Sequence, residues 1–241
     1  MLSPPPVAAA LFDLDGVLVL SAPAHHVAYQ QLLADQGIAF GLADFERVCL
    51  GRPRRDALRI LFPVAGSERL DWLMDEKERL TRRYLDEHGL EPVPGALDFV
   101  RGLRARGLST AVVTASRTPE LLLGTIGAGE LFDVVVGGGD VDRPKPAPDG
   151  YLQAAQLLEV PIERCLVVED SPIGVQAGKA AGARVLAITT TESGDALAGA
   201  DRVIEGFSEI DPQWLLGDGN SGCKAPLPAR CDPLDLVAEV K

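Results

Sequence analysis

Sulfur and imidazole are scarce in this chain and scattered where they occur. The four cysteines, Cys49, Cys165, Cys223 and Cys231, form no C-x-x-C pair, and with only three histidines there is no Cys/His spacing of the kind that holds zinc. Cys165 lies in an apolar run and is expected as a buried thiol. Cys223 and Cys231 are near enough in sequence to pair, but nothing marks the chain as secreted, so free thiols are the expectation. Aromatic side chains make up only 5% of the residues, so a core of aliphatic helices on a sheet of valine and isoleucine is expected. Positive charge is in deficit too: 23 Lys and Arg stand against 35 Asp and Glu, a net charge of −12. That balance excludes nucleic acid and anionic membrane surfaces as natural partners. No apolar run approaches the ~18 residues of a membrane span, and Met1–Pro6 lacks the basic start of a secretory signal. A cytoplasmic enzyme follows as the expectation. What remains is ample for folding, since 46% of the 241 residues are hydrophobic and no internal repeat interrupts them.

The most informative stretch is Val7 to Gly16. An uncharged apolar run from Val7 to Phe12 reads as a short buried strand, and it stops abruptly on Asp13, with Asp15 and Gly16 following. Two carboxylates at the end of a buried strand are costly unless paired. A hard cation such as Mg²⁺, which prefers oxygen ligands, would pair them. Asp-x-Asp-Gly is also ordinary turn chemistry, and on its own the tetrapeptide supports either reading.

Past this point the chain is helical for some seventy residues. Helices are predicted over 25–36, 43–50, 54–62 and 67–88, the last densely charged but with an apolar face through Leu70, Leu73, Leu80, Tyr84 and Leu85. Gly89-Leu-Glu-Pro-Val-Pro-Gly95 then makes the strongest break. Beyond it strands and helices alternate: strands over 108–113, 132–136, 164–168 and 183–188, helices over 96–106, 119–126, 147–158 and 173–181. Such alternation means βαβ units and a parallel sheet, which the first strand must join in order to be buried. The fold class is therefore α/β, a doubly wound Rossmann-like core with a helical cap inserted after the first strand. The expected division is core 1–17, cap 18–91, core 92–216 and a tail 217–241, rich in Gly and Pro, with a last helical turn at 235–241.

In such sheets ligands bind beyond the carboxyl ends of the strands. Four groups fall there: Asp13 with Asp15, Thr114 with Ser116, Lys145 in the proline-stiffened loop Asp142–Asp149, and Glu169 with Asp170. Each has a plain alternative, Thr114 and Glu169-Asp170 as helix caps and Lys145 as a solvated loop residue. Their joint placement is what argues for a site.

The motifs Phe-Asp-Leu-Asp-Gly-Val-Leu, Val-Thr-Ala-Ser, Lys-Pro-Ala-Pro-Asp and Val-Val-Glu-Asp-Ser-Pro-Ile-Gly-Val-Gln-Ala-Gly give the chain a resemblance from Leu11 to Ile188. It resembles the haloacid dehalogenase superfamily of phosphotransferases, in the branch with a helical cap after the first strand, closest to the β-phosphoglucomutase and sugar-phosphatase group. The resemblance implies Asp13 as nucleophile and Asp15 as general acid and base. It implies Mg²⁺ held by Asp13, Asp170 and the Asp15 carbonyl, with Glu169 in or near the shell, and Thr114 and Lys145 on the phosphoryl oxygens. Asp15 also points to a phosphoester, whose alkoxide leaving group needs a proton that a departing halide does not. Within the cap, His25, Arg54 and Lys77 match substrate-side positions of the group, and Ser116 joins them from the core.

The chain departs from the group at Leu20-Ser-Ala-Pro23, where acidic residues are usual, and at Ala57, where the mutase carries a hydroxyl. A phosphatase of a small phosphorylated metabolite, a sugar phosphate by this resemblance, is therefore expected ahead of a phosphomutase. A non-catalytic receiver module also combines aspartates, Thr and Lys on a parallel sheet, but it lacks a large insertion after the first strand.

Overall fold

The computed structural model describes residues 5–49, 52 and 54–210. The expected tail, Cys223 and Cys231 lie outside the described residues. Six parallel strands form one sheet in the order β3-β2-β1-β4-β5-β6. They are β1 (Ala9–Phe12), β2 (Ser109–Val113), β3 (Val134–Val136), β4 (Cys165–Glu169), β5 (Arg184–Ile188) and β6 (Arg202–Ile204). Helices α1 (Ala22–Ala34), α2 (Leu42–Val48), α3 (Arg54–Leu61) and α4 (Ser67–His88) follow β1, and α5 (Ala96–Arg104), α6 (Pro119–Thr125), α7 (Asp149–Leu157) and α8 (Pro172–Ala181) connect the remaining strands. Element ends differ from the sequence reading by at most three residues. β6 is the element that reading lacked.

β1 lies at the centre of the sheet and is buried along its whole length. Alternation along this strand sends successive side chains to opposite faces. Phe12 joins Phe99, Leu103, Val112 and Leu166 on one face, and Leu11 joins Val113, Tyr151, Val167 and Val185 on the other. Phe12 meets Phe99 and Phe132 edge to face, at 6.2 and 6.0 Å between ring centres. These contacts fix the strand that carries Asp13. Register does the rest: Phe12 pairs with Val112 on one side and Val168 on the other, so the ends of β1, β2 and β4 come level.

The helices between β1 and α5 hold a separate apolar cluster that includes Tyr29, Leu32, Leu33, Phe45, Leu58, Leu70, Leu73 and Leu80. On α4 the buried residues are Leu70, Leu73, Lys77, Leu80 and Thr81, a single stripe in which Lys77 is the one charged member. Ala57 is also fully buried in this cluster. A hydroxyl there would sit among these apolar side chains. Cys49 and Cys165 are buried free thiols, as the second was expected to be. Among the described residues no helix is long and apolar enough to cross a membrane.

Candidate active site

At the level ends of the central strands, carboxylates and a lysine share one buried space. The Lys145 ammonium lies 2.8 Å from Asp13 Oδ1, 2.7 Å from Glu169 Oε1 and 3.1 Å from the Val113 carbonyl. Burial works against its charge, but Asp13 and Glu169 outweigh it and hold the amine well above its ordinary value. Glu169 is wholly buried and fully engaged. Oε1 accepts from Lys145 and from the Tyr151 hydroxyl at 2.7 Å, while Oε2 accepts from the Asp170 and Ser171 amides at 3.0 and 3.2 Å and the Ser171 hydroxyl at 3.0 Å. Burial opposes its charge, yet Lys145 and these donors keep it below the usual carboxylate range.

Asp13 and Asp170 are in the opposite condition. Burial pushes Asp13 up to about 7 in spite of Lys145, with Glu169 and Asp15 adding to the rise. Burial and the charges of Glu169 and Asp13 push Asp170 well above the carboxylate range. In both groups burial and the neighbouring carboxylates outweigh the positive charge of Lys145. Carboxylate oxygens of Asp13, Glu169 and Asp170 lie within 4.8 Å of one another, an all-oxygen donor set that fits a hard divalent cation. Asp170 is held by the Thr191 hydroxyl, which donates to its carboxylate and lies 3.0 Å from its backbone carbonyl. Gly16, at φ +77°, passes so close that a Cβ there would fall 1.9 Å from Asp170 Oδ2, so both its backbone angle and the space demand glycine.

Asp15 faces away from this cluster, towards the helices. It accepts a hydrogen bond from the Ser21 hydroxyl, and His25 Nε2 lies 3.7 Å from its Oδ1. The other imidazole nitrogen of His25 is 2.8 Å from Lys77 Nζ. Burial would raise Asp15, but the His25 and Ser21 hydrogen bonds and the Lys77 charge hold it far below the usual range. Burial and Lys77 lower His25 in turn. Lys77 is brought down to about 7 by burial and by Arg54, against the pull of Glu78 and Asp15. The result is a file of three groups, Asp15, His25 and Lys77, running from the sheet into the apolar stripe of α4.

The sequence-predicted residues thus come together in two sets. Asp13, Lys145, Glu169 and Asp170 form the first; Thr114 stands beside it at the end of β2, its Oγ1 accepting from the Ser116 amide at 3.0 Å. Asp15, His25, Arg54 and Ser116 line a cleft of about 280 Å³ between the α1–α4 helices and α6. Lys77 is not on the cleft surface but behind His25. Ser21, Tyr151, Glu78 and Thr191 were not singled out from the sequence. Ser21 and Thr191 carried no signal beyond a hydroxyl near a turn, and Tyr151 and Glu78 read as ordinary helix residues.

The haloacid dehalogenase-like hydrolase family matches residues 7–182. Validoxylamine A 7'-phosphate phosphatase of Streptomyces hygroscopicus subsp. limoneus is 32% identical over 203 residues, 83% of this chain and 94% of that one. Hexitol phosphatase A of Escherichia coli is 33% identical over 205 residues, 83% of this chain and 91% of that one. Among solved structures, CbbY from Rhodobacter sphaeroides in complex with phosphate superposes with a TM-score of 0.76 at 27% identity, covering 87% of this chain and 99% of that one.

Proposed function

This chain belongs to the haloacid dehalogenase-like hydrolases and is a phosphatase, and on that premise we propose that it is a Mg²⁺-dependent enzyme that hydrolyses a small sugar-type phosphate through an aspartyl-phosphate on Asp13. Relatives named validoxylamine A 7'-phosphate phosphatase and hexitol phosphatase support the substrate class. The observation that carries the reading is Lys145 held between Asp13 and Glu169 at the level ends of β1 and β4. Residues 18–91 act as the cap over a core formed by 1–17 and 92–216.

Asp13 attacks phosphorus, and the bond from phosphorus to the leaving oxygen breaks. An anionic nucleophile meeting an anionic phosphate is repelled by about 4 kcal/mol per pair of unit charges at ~4 Å and an effective dielectric of 20. Lys145 offsets part of this from a fixed position, with Thr114 donating to a phosphoryl oxygen. Asp13, Asp170 and the Asp15 carbonyl would hold Mg²⁺, with Glu169 beside them, and the bound ion supplies the remaining positive charge. Glu169 spends both oxygens on protein donors, so its main work is to fix Lys145.

Asp15 serves the leaving oxygen and then the attacking water. Free of substrate it is a carboxylate, the form that removes a proton from water in the second half-reaction. Binding of a phosphate brings negative charge close to it and raises its proton affinity, which provides the acid form for the first half. His25 orients the carboxylate from the cleft side, and Lys77 orients His25. The direct test is release of phosphate from p-nitrophenyl phosphate with and without Mg²⁺, together with Asp13→Asn. A phosphomutase remains the second reading, favoured by the Asp15–His25–Lys77 file. Incubation with a hexose 1-phosphate distinguishes the two, since a phosphatase yields free phosphate and a mutase an isomer.

A further inference from the structure

The far end of the cleft is where the leaving group must lie, and its chemistry is specific. The wall contributed by α3 and α4 carries Arg54, Glu78, Arg82 and Asp86, two positive and two negative side chains. Arg54 Nη1 is bonded to Glu78 Oε2 at 2.8 Å, with the two side chains 23% and 27% exposed. The opposite wall, from α6, presents the apolar Leu121 and Leu122 between Thr118 and Thr125.

An arginine at the mouth of a phosphatase cleft is a natural receptor for a second phosphate, because its planar fork matches phosphate oxygens. Here one arm of that fork already meets a carboxylate. A second phosphate would have to share Arg54 with Glu78 or displace it, and in either case lie beside that carboxylate, in a cleft whose far wall carries no net positive charge. A neutral alcohol meets no such obstacle. Its hydroxyls can bond to Glu78, Asp86 and Arg82, and its C–H face can lie on the two leucines. At about 280 Å³ the space lies just under the range of roughly 300–1,000 Å³ usual for small-molecule sites, which suits a single polyhydroxylated alcohol.

We propose that Glu78 is a specificity-determining residue: by occupying Arg54 it reserves the cleft for monophosphates of neutral, hydroxyl-bearing alcohols and rejects substrates that carry a second phosphate. This rests on the phosphatase reading above and goes further in naming what the cleft refuses. Discrimination here is built from a repulsive element, the unpaired carboxylate that a wrong ligand would create.

The test uses p-nitrophenyl phosphate hydrolysis as a reporter and measures competitive inhibition by fructose 1-phosphate and fructose 1,6-bisphosphate, which differ by one phosphate. In the wild-type protein the monophosphate should bind at least as tightly as the bisphosphate. Glu78→Gln keeps the shape and removes the charge, freeing Arg54. The ratio of the two inhibition constants should then shift towards the bisphosphate by about tenfold or more. Glu78→Asp, which retains the carboxylate, should keep the wild-type order, and Arg54→Ala added to Glu78→Gln should abolish the shift. A wild-type protein that prefers the bisphosphate would overturn the proposal even if no variant folds, and so would an unchanged ratio in Glu78→Gln. Failure of the underlying reading looks different: the wild-type protein with Mg²⁺ would release no p-nitrophenol.

Discussion

Replacing Gly174 by alanine sets two effects of opposite sign against each other. Gly174 lies in the first turn of α8 with ordinary helical geometry, and in an open helix alanine would stabilise by about 1 kcal/mol. Here an added Cβ would fall 1.8 Å from Glu169 Oε1, 1.9 Å from its Cδ and 2.2 Å from Oε2. Carbon and carboxylate oxygen need more than 3 Å, so the carboxylate must move by over an ångström. Hydrogen bonds of 2.7 Å to Lys145 and Tyr151 do not survive such a shift. Losing two bonds to a buried charge costs roughly 1.5–3 kcal/mol each, which leaves a net loss of about 2–5 kcal/mol after the helical gain. For a chain of this size each kcal/mol moves the melting temperature by about 2–4 °C, so a fall of roughly 4–20 °C is expected in a thermal melt. Turnover of p-nitrophenyl phosphate should drop with it, because Lys145 loses its anchor. An unchanged or higher melting temperature would refute the view that Glu169 is pinned from all sides.

Asp13→Asn should reduce phosphate release by at least about a thousandfold while the circular dichroism spectrum and melting temperature stay close to wild type, since the amide is nearly isosteric but a poor nucleophile; activity within tenfold of wild type would remove Asp13 from its role. Tyr151→Phe removes only a hydroxyl, yet it takes away a 2.7 Å bond to a buried carboxylate, and should cost roughly 1.5–3 kcal/mol in denaturant unfolding. Metal dependence carries a sign with pH: a carboxyl raised to about 7 holds its proton in the folded, metal-free protein, and a cation must displace that proton to bind. The rise in melting temperature on adding Mg²⁺ should therefore grow from pH 5 to pH 8, and a flat response would contradict it. For the metal-free protein the same raised group favours the folded state at low pH, and its contribution is lost as pH climbs from about 4 through about 7.

The sheet was largely legible in the sequence because short apolar runs ended on polar residues at βαβ spacing. Asp13, Thr114, Lys145 and Glu169-Asp170 could be placed in one site for the same reason. β6 was not legible: it has three residues, of which only Ile204 is buried, and it sits at the sheet edge without periodicity. Tyr151 and Glu78 escaped for another reason. Their partners lie 18 and 24 positions away, on other elements. Glu78 in particular sits on a helix so rich in charge that no pairing could be chosen without the fold. Lys77 matched a substrate-side position by resemblance. Its burial behind His25 follows from the spacing of α4, where it falls on the same stripe as Leu70, Leu73 and Leu80.

The central place of β1 has a consequence for how the chain acquires its fold. Its sheet neighbours end at Val113 and Glu169, so β1 leaves the ribosome about 100 residues before either side of it can be paired. At roughly 5–20 residues per second, that is a wait of some 5–20 s with an apolar strand uncovered. The helices made in the interval own a separate apolar cluster and can close without the sheet. Synthesis would then pass through a stage in which a finished helical unit hangs beside an unpaired strand, the species on which chaperones would be expected to act. Pulse-labelled ribosome complexes stalled before and well after residue 113 has cleared the exit tunnel should differ sharply in protease protection of residues 9–12.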